Sequence, residues 1–307
     1  MPLAPEAQAL LDQLEAMQPP PLESLSPQEA RAFAQAMAQM GGEKEEVGQV
    51  EDKTIPGPFG DIPLRIYTPQ GKCPWPALVY FHGGGWVIGD LEMVDDSCRM
   101  LANRMPGVVV SVDYRLAPEH KFPVAAEEAY TAVLWVVEQA RSLGVDPRRV
   151  GVGGDSAGGN LSASVCLMAR DRGKPDLDFQ VLLYPTLDFK RNTPSYESFS
   201  QGYLLTREAM AWFAGHYLSR LEDAQNPYAA PLEAKNLQGL PRALVVSCEF
   251  DPLRDEAESY ARRLGEAGTK VELARQEGMI HGFFTLPVIF PQALDAIVRV
   301  ARFISGA

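Results

Sequence analysis

A chain of 307 residues with 46% hydrophobic and 22% charged content has the composition of a globular protein and enough apolar mass for one large or two small domains. Its 28 basic and 40 acidic residues leave a net charge of -12, dispersed rather than gathered in a tail, which argues against nucleic acid and anionic membrane surfaces as partners. Four scattered cysteines (Cys73, Cys98, Cys166, Cys248) without a Cys-x-x-Cys spacing predict buried free thiols rather than a disulfide framework or a zinc site.

No basic stretch followed by an apolar one opens the chain, and no run reaches the roughly 18 apolar residues of a membrane span, so the expectation is a cytoplasmic protein. Residues 7–40 read as two amphipathic helices broken at Pro19-Pro20-Pro21. Leu10, Leu11, Leu14 and Met17 share one face of the first, and Ser26-Pro27-Gln28-Glu29 supplies the cap, proline and glutamate that start the second. These helices precede any strand and are expected to pack on the main body as an appendage.

Residues 48–55 and 62–68 read as an antiparallel hairpin around a Pro-Gly-rich turn. Ala77-Leu78-Val79-Tyr80-Phe81 is a wholly apolar strand that runs into His82-Gly83-Gly84-Gly85-Trp86. A helix over 91–105, a strand over 108–112, a helix over 123–143, a strand over 149–153, a helix over 157–170 and a strand over 179–184 follow. Apolar strands alternating with helices predict an α/β fold, a mostly parallel sheet covered on both faces.

The alternation pauses over 185–240, where 194–204 look loop-like and 208–221 form a helix carrying Met210, Trp212, Phe213 and Tyr217. That is too long for a plain connection and reads as an insertion which, with the N-terminal helices, could roof the main domain. A strand over 243–248, a helix over 255–267, a strand over 270–274 and a helix over 286–304 complete the chain, giving eight strands.

The stretch that carries chemistry is Val150-Gly151-Val152-Gly153-Gly154-Asp155-Ser156-Ala157-Gly158-Gly159-Asn160. Glycines two before and two after a serine permit a sharp strand-to-helix turn with the hydroxyl at its apex, beside the free N–H groups of a helix start. A serine hydroxyl needs a base to take its proton, and the base needs a carboxylate to hold its ring. Of the four histidines, His281 follows the last strand and opens into the same crevice as Ser156, whereas His120 and His216 have no motif around them and His82 reads as a brace for the glycine loop. Asp251 lies in the loop after the preceding strand, where Pro252 keeps it out of the helix; Asp255 reads as a first-turn helix residue. The order Ser156, Asp251, His281 is that of α/β-hydrolases. Donors for a developing oxyanion are expected from the N–H groups of Ala157, Gly83 and Gly84.

His82-Gly83-Gly84-Gly85-Trp86, Asp113-Tyr114-Arg115-Leu116-Ala117-Pro118-Glu119, Gly154-Asp155-Ser156-Ala157-Gly158-Gly159 and Asp251-Pro252-Leu253-Arg254-Asp255 together resemble the bacterial hormone-sensitive-lipase-like carboxylesterases. The resemblance runs from about Pro76 to Phe283. It implies an α/β-hydrolase fold with N-terminal cap helices (1–45), a catalytic domain (46–185 and 241–307) and a cap insertion (186–240). It also implies hydrolysis of short- to medium-chain acyl esters, a small-molecule substrate, and no metal or organic cofactor. A homo-oligomer stays open. Trp86, Tyr203, Leu204, Met210, Phe213 and Phe283 are candidates for the pocket wall, with ordinary core packing the competing role. Asp155 reads as a loop brace, and Arg115 with Glu119 as a pair supporting the oxyanion loop, with an ordinary surface ion pair the competing role. A serine peptidase or amidase would use the same residue order, and a non-catalytic small-molecule receptor would keep the fold without the histidine.

Overall fold

The computed structural model describes residues 2–38 and 44–306. Eight strands form one sheet: β1 (Gln49–Ile55), β2 (Ile62–Thr68), β3 (Trp75–Phe81), β4 (Val108–Val112), β5 (Val145–Asp155), β6 (Phe179–Leu183), β7 (Arg242–Phe250) and β8 (Val271–Ile280). Their order across the sheet is β1-β2-β4-β3-β5-β6-β7-β8. β1 and β2 pair antiparallel as the hairpin pattern predicts, β2 joins β4 antiparallel, and every later pairing is parallel. β4 and β6 are buried along their whole length and β3 along all but its first residue, which is why they read as continuous apolar runs.

Helices cover both faces. Cys98 and Leu101 of α3 (Asp95–Arg104) pack with Ile297 and Val300 of α9 (Pro291–Ser305) on one side, in a cluster that also takes in Ala7 of α1 (Pro5–Met17). Val133 of α4 (Val124–Glu138), Leu161 of α5 (Ala157–Arg172) and Tyr260 of α8 (Arg254–Glu266) belong to the cluster on the other. Cys98, Cys166 and Cys248 are buried free thiols, while Cys73 is exposed.

The N-terminal segment ends in α2 (Pro27–Ala38), started by a reciprocal cap: the Ser26 N–H donates to Glu29 Oε2 at 2.8 Å, and the Glu29 N–H to Ser26 Oγ at 3.3 Å. α1 reaches the edge of the sheet through the Ala4 N–H, which donates to the Gly278 carbonyl at 3.0 Å. The segment between β6 and β7 carries α7 (Arg207–Tyr217), which touches the single turn at Leu22–Ser24 of the N-terminal segment.

Among the expected element boundaries that change, three bear on the site and its surroundings. The loop-like stretch at 194–204 contains a helix, α6 (Pro194–Phe199), because the Thr193 hydroxyl caps it by accepting the Tyr196 N–H. The final helix starts at Pro291 rather than near 286, since Phe283–Thr285 make a separate tight turn. The last strand runs on to Ile280, so its end delivers His281 directly.

Candidate active site

β5 hands over to α5 through Ser156, whose backbone sits at φ 55°, ψ -114°. A non-glycine residue rarely adopts this geometry, and the surroundings must impose it. They do so by leaving no room: a Cβ on Gly154 or on Gly158 would collide with the carbonyl of Phe81 at the end of β3. The Ser156 N–H donates to the Leu183 carbonyl at 2.8 Å, which ties the turn to β6. The hydroxyl is left half-exposed at the carboxyl end of the sheet.

His281 Nε2 lies 3.0 Å from Ser156 Oγ, and His281 Nδ1 lies 2.8 Å from Asp251 Oδ2. A carboxylate only accepts, so Nδ1 donates to Asp251 and Nε2 keeps the lone pair that faces the hydroxyl. Asp251 is fully buried, and its other oxygen accepts the Leu253 N–H at 2.8 Å. Tyr184 stands edge-on to the imidazole, with ring centroids 4.8 Å apart. Three side chains expected to meet are therefore in line. A hydroxyl, an imidazole and a buried carboxylate in that order have the geometry in which a nucleophile can be served by a base and an orienting group.

The glycine loop departs from expectation by one residue. The Gly83 N–H donates to Asp155 Oδ1 at 3.0 Å, so it is turned inward and committed. Gly84 and Gly85 have φ of +97° and +58°, and their N–H groups find no acceptor among the described residues. Ala157 is the first residue of α5, where a helix N–H has no intrahelical partner. Gly83 is thus a brace, and the free donors of the loop belong to Gly84 and Gly85. A run of three glycines gives no sign of which amides face outward.

Asp155 and His82 hold this loop from below. Asp155 Oδ1 also accepts the Tyr80 hydroxyl at 2.9 Å; burial pushes its carboxyl up to about 6, against the lowering pull of these bonds and of nearby His281. His82 stacks on Tyr114 with centroids 4.3 Å apart and donates from Nδ1 to the Gly83 carbonyl at 2.7 Å. Burial holds its imidazole down at about 4, so it stays neutral. The expected Arg115–Glu119 pair does not form. Arg115 pairs with buried Glu128, and Glu119 with Arg31 of α2, a partner that sequence reasoning missed because it lies 88 residues away.

The candidate pocket residues divide. Phe213 of α7 packs so closely over Gly85 that a Cβ there would strike its ring, and exposed Leu204 lies 3.5 Å from where a Gly282 Cβ would be, beside His281. Tyr203 packs on Phe199 and Phe250, and Met210 is half-buried on α7. Phe283 is not a pocket wall: it is 0% exposed and packs edge-on against Tyr184 and Phe284 in the core. Trp86 is 2% exposed and stacks face-to-face on Tyr217 at 4.0 Å, so it backs the loop rather than lining an opening. His120 is exposed and His216 packs against Trp212. Among the described residues no group of three or more His, Cys, Asp or Glu side chains is arranged to hold a metal ion, and no helix is long and apolar enough to cross a membrane.

The fold and this arrangement define an α/β hydrolase. Residues 78–285 match the alpha/beta hydrolase fold family. The carboxylic ester hydrolase LipN of Mycobacterium tuberculosis is 49% identical over 243 residues, 77% of this chain, and the chain spans 65% of LipN's own length. The esterase LipI of the same organism is 41% identical, over 82% of this chain and 80% of LipI. Among solved structures, a hyperthermophilic esterase from the archaeon Pyrobaculum calidifontis superposes with a TM-score of 0.93 at 43% identity, covering 100% of this chain and 99% of that one. The chain belongs to the hormone-sensitive-lipase-like carboxylesterases of the α/β-hydrolase family.

Proposed function

We infer that this protein is a carboxylic ester hydrolase working through Ser156, His281 and Asp251 on short- to medium-chain acyl esters. His281 Nε2 takes the Ser156 proton as Oγ attacks the ester carbonyl, and Asp251 stabilises the imidazolium that forms. The carbonyl oxygen becomes an anion, for which the Gly84, Gly85 and Ala157 N–H groups are the preorganised donors. The imidazolium then protonates the departing alcohol oxygen as the C–O bond breaks, leaving an acyl group on Ser156. A water molecule, deprotonated by His281, attacks that acyl carbon and releases the acid.

The observation that carries this reading is the unbroken hydrogen-bond line from Ser156 Oγ through His281 to buried Asp251. Phe213, packed over Gly85 of the glycine loop, and Leu204, beside Gly282 next to His281, support an apolar acyl site. We assign residues 186–240 and the N-terminal helices to a cap over the catalytic domain, a division supported by the contact between α7 and the Leu22–Ser24 turn. The residues of the 39–43 stretch lie outside the described residues.

The test is a series of p-nitrophenyl esters of increasing acyl length, with a fluorophosphonate label read by mass on the Ser156 peptide. Ser156→Ala should lose at least about 10⁴-fold in kcat, and Asp251→Asn about 10⁴-fold. Labelling of another serine in protein that remains active would reject the assignment. Matching anilides should react far more slowly than the esters; comparable rates would favour an amidase.

A further inference from the structure

We propose that Arg31, on the N-terminal helix α2, is a positioning residue for the oxyanion loop, so that an element remote in sequence sets the geometry of the Gly84 and Gly85 donors. The proposal rests on the oxyanion assignment above. Gly84, Gly85 and Trp86 follow one another at φ of +97°, +58° and +62°. A tryptophan in the left-handed region is costly, so the loop does not hold this shape by local preference.

Its outer turn is closed by the Val87 and Ile88 N–H groups donating to the Gly84 carbonyl at 3.1 and 3.0 Å. Arg31 secures that turn from outside. Its Nε donates to the Val87 carbonyl at 2.8 Å, and its Nη2 to the Ala117 carbonyl, also at 2.8 Å. The Ala117 N–H in turn donates to the Trp86 carbonyl at 2.8 Å. One guanidinium thus bridges the glycine loop and the loop after β4, and both strands of that bridge end on residues 86 and 87.

The guanidinium also meets the carboxylate of Glu119 with two nitrogens, at 2.8 and 2.6 Å, on the side away from the glycine-loop carbonyl. Four residues further along α2, on the same face, Gln35 donates to Asp90 Oδ2 at 3.1 Å, at the far end of the same loop. The fork matters because a lysine ammonium is a point donor and cannot reproduce three separated acceptors in one plane.

Glu119 is half-exposed, and an ion pair at that depth contributes little by itself. The effect is therefore expected from the carbonyl contacts rather than from the charge pair, which separates the variants. Arg31→Lys and Arg31→Ala should lower kcat on p-nitrophenyl acetate about tenfold to a hundredfold, with KM changed less than about twofold, as for a displaced transition-state donor. A trifluoromethyl ketone, whose adduct on Ser156 carries an alkoxide where the donors sit, should lose affinity by the same factor. Glu119→Gln should leave both quantities within about twofold of the parent.

Arg31→Lys, folded by circular dichroism, decides the matter where Arg31→Ala fails to fold. Unchanged kcat and inhibitor affinity in a folded Arg31 variant overturn the proposal, as does a rise in KM alone, which would make Arg31 a substrate-side cap residue. Because Ser156→Ala is measured alongside, the two levels separate: an active Ser156→Ala enzyme rejects the underlying mechanism, whereas an inactive one with an indifferent Arg31→Lys rejects only the positioning role.

Discussion

Asp155 and His82 brace the same glycine loop, yet burial acts on them in opposite directions. Asp155 is raised from an ordinary 3.8 to about 6 and His82 lowered from 6.5 to about 4. Between roughly pH 4 and 6 the folded protein keeps a proton on Asp155 that the unfolded chain has released, so this group favours folding in acid and loses that contribution as pH rises through 6. His82 does the reverse: the unfolded chain binds its proton below about 6.5 while the folded protein refuses it, so stability falls as pH falls. In the parent the two slopes oppose each other. Asp155→Asn keeps an acceptor for the Gly83 N–H but removes one slope, and should make stability fall more steeply than the parent's between pH 6.5 and 4. Urea unfolding across that range measures it, and a slope equal to the parent's would refute the balance.

At the scale of the elements, the turn around Ser156 depends on β5, α5 and β3 approaching more closely than any side chain allows. Gly158→Ala places a methyl group against the Phe81 carbonyl, and is expected to lower the melting temperature by at least about 8 °C or to prevent soluble expression, independent of any effect on Ser156. The sequence carries this turn openly, because a glycine-flanked serine between an apolar run and a helix has few other uses. The inner strands β3, β4, β6 and β7 are legible for a similar reason, because burial on both faces leaves continuous apolar runs, whereas β1 and β2 are read from their hairpin pattern. What is not legible has a tertiary origin. α6 forms where Thr193 caps it and where Ser195 exchanges hydrogen bonds with Asp255 at the start of α8, the Ser195 N–H to Asp255 Oδ2 at 2.8 Å and the Asp255 N–H to Ser195 Oγ at 3.1 Å. A partner 60 residues away leaves no mark on the local pattern. Likewise the outward donors at Gly84 and Gly85 depend on where the Asp155 carboxylate sits, and inward Phe283 is an apolar residue that sequence cannot tell from a pocket wall.

Over the whole molecule, the charge of -12 creates a field that opposes anionic substrates before they reach the site. An ester carrying a remote carboxylate should show lower kcat/KM than its neutral isostere at low ionic strength. Raising salt to about 0.5 M should narrow the gap, since screening then acts within a few ångströms. A gap that salt does not change would place the discrimination in the pocket instead. The same scale shows how the site is distributed: the hydroxyl is in the middle of the sheet, the carboxylate follows its next-to-last strand, and the imidazole follows β8, the edge strand that pairs only with β7. A growing chain therefore stays without its imidazole until β8 is complete, so the Ser156 hydroxyl and the Asp251 carboxylate precede the residue that links them. A product cut short before Ile280 would lack that link and also α9, whose Ile297 and Val300 fill one face of the core, so it is expected to be both inert and poorly folded.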